Sequence, residues 1–162
     1  MIFACHVAIY ILERGWRDPW TAYFVPRSVM FAALLIMLWQ FRQHRILPTK
    51  SPERLIWVVW GGYLLALCAV NAARSAFGHD HRESYAFSAV LTGFGFLIMG
   101  GHVWGGGYVV GLVFMISAPI LATDTDVAPL GFGALWAAAL FTFGLHYWHR
   151  GVGGRNSGPR RL

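Results

Sequence analysis

Apolar residues in this chain run on in long blocks instead of alternating, and short polar segments between the blocks hold nearly all of the charge. An α-helix rising 1.5 Å per residue needs about 20 residues to cross roughly 30 Å of hydrocarbon. Counted against that length, residues 23–41, 55–73, 85–99, 108–122 and 127–148 read as five full spans, and residues 1–12 as a short partial one. The pattern predicts an all-α fold, a polytopic helical bundle of an integral membrane protein occupying residues 1–150, followed by a basic, disordered cytoplasmic tail at 151–162.

The first block lacks the basic start and small-residue cleavage site of a signal peptide. Its shortness fits a chain that starts inside a longer helix. In the second block Pro26 reads as a first-turn proline and Arg27 as a side chain reaching back to the interface. The block at 55–73 is the cleanest, bounded by Arg54 and Arg74 and carrying Asn71 as its one strongly polar residue. The stretch 85–122 has no acidic or basic side chain except His102 and is too long for one crossing. A turn is therefore expected across Gly100–Gly107, making two short spans.

Glycine and alanine recur at helix-packing intervals. Gly101 and Gly105, Gly107 and Gly111, Gly133 and Ala137, and Ala134 and Ala138 each stand four apart, as do residues that let two helix backbones approach closely in lipid. Contact within one chain is the first reading of these pairs, and self-association the second. Gly100 belongs to the predicted turn.

Composition agrees with the bilayer reading. The 162 residues are 57% hydrophobic and 12% charged, and all seven carboxylates lie outside the apolar blocks. Cations cluster in 42–54 (Arg42, Arg45, Lys50, Arg54) and in the tail (Arg150, Arg155, Arg160, Arg161), so the positive-inside rule places both on the cytoplasmic side. Four crossings between them satisfy that parity. Both termini are then cytoplasmic, in a bacterial inner membrane. The expected partners are membrane lipids, with no nucleic acid.

Candidate chemistry is sparse. The glycine-rich stretch lacks the GKS/T ending of a phosphate loop, and the only lysine is Lys50. Cys5 and Cys68 have no CxxC spacing. His6, His102, His146 and His149 fall towards the cytoplasmic half on this topology; haem ligation is one alternative, and interfacial side chains beside Trp104 and Trp148 the plainer one. No predicted span has Asp, Glu, Lys or Arg at its centre, which disfavours the other alternative, a small transporter or channel. On the outer face, His79, Asp80 and His81 precede the 85–122 hairpin and Asp124 and Asp126 follow it. The set His79, His81, Asp124 and Asp126 is a candidate zinc or pH-responsive site, with Arg82 opposing a cation.

The order of features then shows a resemblance. The Arg/Pro-rich linker, Leu55-Ile-Trp-Val-Val-Trp-Gly-Gly-Tyr63, the run from Gly93 to Phe114, Ala118-Pro119 and Ala128-Pro129-Leu-Gly-Phe-Gly-Ala-Leu-Trp136 resemble the multi-pass C-terminal membrane domain of some planctomycete-type bacterial serine/threonine protein kinases. The resemblance implies a non-enzymatic membrane anchor or sensory module, whose partner is a cytoplasmic kinase domain or a second copy. Catalysis is not implied. The glycine-rich loop with its strand lysine, the catalytic-loop Asp and Asn and the DFG aspartate are missing, and His81-Arg82-Glu83 lacks the catalytic Asp. No resident cofactor is expected.

Overall fold

The computed structural model describes residues 1–15, 19–41, 51–78 and 81–155. Among them there is no strand. The helices are α1 (Ile2–Gly15), α2 (Pro19–Phe41), α3 (Ser51–Ala76), α4 (Ser84–His102), α5 (Gly106–Thr123) and α6 (Ala128–Arg155), with a single 3-10 turn at His81–Glu83 before α4. Four segments are long and apolar enough to cross a membrane: Glu53–Ala76, Ser84–His102, Gly106–Thr123 and Ala128–His149. In α2 the apolar stretch Phe24–Met37 includes Arg27.

Helix ends differ from the sequence expectations in several places. α2 begins at Pro19, so Pro19 takes the first-turn position and Pro26 lies inside the helix. The Gly100–Gly107 stretch is mostly helical: α4 runs through His102, α5 restarts at Gly106, and only Val103–Gly105 break the path. α6 continues to Arg155, and no proline stands between Pro129 and Pro159. α3 is stopped by Gly78, whose φ of 72° is the left-handed conformation that glycine adopts without steric cost. Asp124 sets up α6, its Oδ1 accepting the backbone N–H groups of Asp126 at 3.1 Å and Val127 at 3.3 Å.

The closest pairing in the bundle is α4 against α5, and glycine makes it possible. A Cβ on Gly111 would lie 2.7 Å from the Gly93 carbonyl oxygen and 2.9 Å from Leu97 N, and one on Gly107 would lie 2.9 Å from Gly100 Cα. Such distances leave no room for a methyl group, so these residues serve backbone-to-backbone packing. Gly107 and Gly111 thus work as a pair. Gly101 meets only the Tyr108 hydroxyl, and Gly105 faces open space, so that pair does not form a seam. Gly133 packs on α1, where an added Cβ would approach His6 Cβ to 2.8 Å, whereas Ala137, Ala134 and Ala138 are exposed.

An aromatic column fills the centre. Phe96 stacks on Phe114 with centroids 5.7 Å apart and touches Trp60 (5.3 Å), Trp136 (5.6 Å) and Phe143 (5.6 Å), so one ring joins α3, α4, α5 and α6. The outer surface is also apolar, with Leu65, Ile116, Ile120 and Phe141 all exposed. A bundle apolar both inside and outside is built to sit in hydrocarbon.

Candidate functional site

Polar chemistry gathers where α1 and α3 end and α4 begins. Arg82, in the turn before α4, places Nε 3.2 Å from Glu13 Oε2 at the end of α1, and its Nη1 pairs with Asp126 Oδ1 in the turn before α6. Arg74, in the last turn of α3, pairs with Glu83. Two arginines and three carboxylates thereby tie four segments together at one end. Glu13 is the enclosed member, its side chain 4% exposed against 66% for Asp126, so the Glu13 pair feels a lower dielectric and less salt screening.

The loops before and after the hairpin do meet, as their positions in the chain predict, but through Arg82. Both carboxylates of the loop before α6 are engaged: Asp126 by the Arg82 guanidinium and Asp124 by two backbone N–H groups. His79 and Asp80 lie outside the described residues, and of His81 only the backbone is described. Among the described residues no three of His, Cys, Asp and Glu are grouped to hold a metal ion.

A second polar group lies just inside that end. His6 is 3% exposed, its ring edge-on to Phe132 at 5.5 Å and to Tyr85 at 6.0 Å, with Nδ1–H donating to the Ile2 carbonyl at 2.8 Å. The Arg27 guanidinium lies 5.0 Å from the Tyr85 ring, near the start of α4. Ser84, Ser88 and Thr92, four apart on one face of α4, are all buried. Ser88 Oγ donates to the Ser84 carbonyl at 2.8 Å, but Thr92 Oγ1 has no hydrogen-bond partner among the described residues. Sequence reasoning passed over Thr92, although its spacing from Ser84 and Ser88 was the available signal.

His102 and His146 stand at the other end. His146 stacks on Trp104 with centroids 4.4 Å apart, and Trp104 meets Phe143 edge-on at 4.7 Å, which fastens the α4–α5 turn to α6. His102 is exposed and bonds back to the Ile98 carbonyl. His6 therefore does not join His102, His146 and His149 in one half of the bundle, because α1 runs towards the Glu13 end.

No protein-family description, curated protein or solved structure matches this chain. The geometry alone describes an apolar helical bundle with a tied polar end.

Proposed function

We propose that the protein is a non-enzymatic, multi-pass anchor and sensory module of a bacterial inner membrane, with the Arg82 end outside and the 42–54 segment and C-terminus in the cytoplasm. The observation that carries this reading is the partition of charge along the bundle. The ends of α1 and α3 and the starts of α4 and α6 share one ion-paired, carboxylate-rich face. In sequence, Arg42, Arg45 and Lys50 fall between the end of α2 and the start of α3, Arg54 lies in the first turn of α3, and further arginines follow His149. The aromatic column favours an anchor over a channel, since rings fill the axis a pore would use. The resemblance to the membrane domain of planctomycete-type kinases supports a cytoplasmic kinase as the partner served.

Single cysteines at positions 50, 125 and 156, in a Cys5→Ala/Cys68→Ala background, test the orientation. An impermeant thiol reagent added to intact cells labels position 125 and not 50 or 156; the reverse pattern overturns it. Incubated with labelled ATP, the purified chain incorporates no phosphate. Incorporation that copurifies with it and is lost on mutating the chain overturns the non-enzymatic part.

A further inference from the structure

α1 docks on the rest of the bundle through a histidine. His6 Cβ fills the space that Gly133 leaves on α6, where an added methyl would come within 2.8 Å of it, and the ring stands edge-on to Phe132 at 5.5 Å and to Tyr85 at 6.0 Å. Its Nδ1–H donates to the Ile2 carbonyl at 2.8 Å, which leaves Nε2 as the basic atom of the ring. Ile9, three residues further along the same helix face, is fully buried as well. α2 packs chiefly on α1, so whatever holds α1 also holds α2. Resting on the sensory reading above, we infer that His6 is a proton-operated latch: neutral, it holds α1 against α4 and α6, and on taking up a proton from the outer side it frees α1, and α2 with it.

The surroundings of the ring suit its neutral form and oppose its charged one. His6 is 3% exposed. From α2 comes the Arg27 guanidinium, over the same Tyr85 ring at 5.0 Å; from α4 comes Tyr85 itself, from α6 Phe132 and Gly133, and from α1 the neighbouring Cys5. Among the described residues the side-chain charge that acts on the imidazole is therefore positive, while Glu13, seven residues on, is engaged by Arg82. A proton on Nε2 creates a second cation in an enclosed aromatic site, and a buried charge without a counter-charge is costly. Once α1 is released the ring meets water, where histidine takes its proton at about pH 6.5. The released form then binds more protons than the docked form, so docking weakens as pH falls below about 6.5, by up to about tenfold per unit. The site lies just inside the Arg82 end, which the proposed orientation puts outside, so the acid sensed is external. In sequence α2 leads to residues 42–50, so its release carries the change towards the cytoplasmic segment.

Pulsed electron paramagnetic resonance on the full chain in lipid nanodiscs tests this, with spin labels on Ile11→Cys and Phe141→Cys, both exposed, in the Cys5→Ala/Cys68→Ala background. One distance is expected at pH 7.5, and a second, longer one grows in as pH falls to 4.5, the docked-to-released ratio dropping about a hundredfold over the two units below the free histidine value. A control pair on Val90→Cys and Phe141→Cys, within α4 and α6, keeps its distance throughout. His6→Asn retains a donor for the Ile2 carbonyl but takes up no proton, so it shows the docked distance at every pH. Arg27→Gln removes the neighbouring positive charge, so the second distance appears only at lower pH than in wild type. A wild type with no second distance at pH 4.5, the same acid response in His6→Asn, or a control pair that moves with the first, which would mean general acid unfolding, overturns the proposal. If His6→Asn is undocked at pH 7.5, Arg27→Gln decides alone, and an unshifted transition overturns it. The thiol-labelling pattern reports separately on the membrane reading.

Discussion

Arg82 Nε sits 3.2 Å from a Glu13 carboxylate that is almost wholly enclosed, which fixes the end of α1 to the start of α4 across 69 residues of sequence. Removing one partner of a buried ion pair costs about 3–5 kcal/mol, and breaking an exposed pair about 0–1 kcal/mol. Arg82 is 27% exposed, so Arg82→Ala is expected between those limits, at about 1–3 kcal/mol. Asp126→Asn, on the exposed side of the same guanidinium, is expected to cost no more than about 1 kcal/mol and to matter less as salt rises. Reversible unfolding in detergent or bicelles measures both, and equal losses would contradict the assignment of Glu13 as the dominant partner.

Glycine substitutions separate packing from propensity. Gly111→Ala drives a methyl into the backbone of α4, at Gly93 and Leu97, and is expected to destabilise by about 1–3 kcal/mol. Gly62→Ala meets open space and gains about 0.5–1 kcal/mol of helix propensity. The same unfolding assay should therefore give opposite signs for one chemical change.

Thr92→Val removes a buried hydroxyl that has no partner among the described residues and keeps the side-chain shape. An unsatisfied buried polar group costs about 1–3 kcal/mol, so this variant is expected to be more stable than wild type. Ser88→Ala, which deletes a hydroxyl bonded to the Ser84 carbonyl, is expected to lose stability or stay level. A destabilised Thr92→Val would show that Thr92 holds a partner in the membrane.

Zinc is expected to bind weakly and equally to wild type and to a His79→Ala/His81→Ala variant, because Asp126 already faces Arg82 and Asp124 already caps the turn before α6. Calorimetric titration checks this. Tight binding by wild type that the double variant abolishes would instead assign His79, His81, Asp124 and Asp126 to one metal centre.

What the sequence determined by itself is the class of the fold and the placement of its elements. Apolar blocks of helix length bounded by charge leave no other way to satisfy backbone groups in hydrocarbon, and that constraint acts on each segment separately. The charge asymmetry between 42–54 and the carboxylate-rich loops was legible for the same reason. Only the tertiary structure decided what individual residues do, because those roles depend on neighbours far away in the chain. Arg82 read as an obstacle to a metal until Glu13 and Asp126 flanked it. Gly107 and Gly111 have the same four-residue spacing as Gly101 and Gly105, yet only the first pair faces a backbone. Spacing names the residues that share a helix face; which face meets a neighbour is settled by how six helices pack at once.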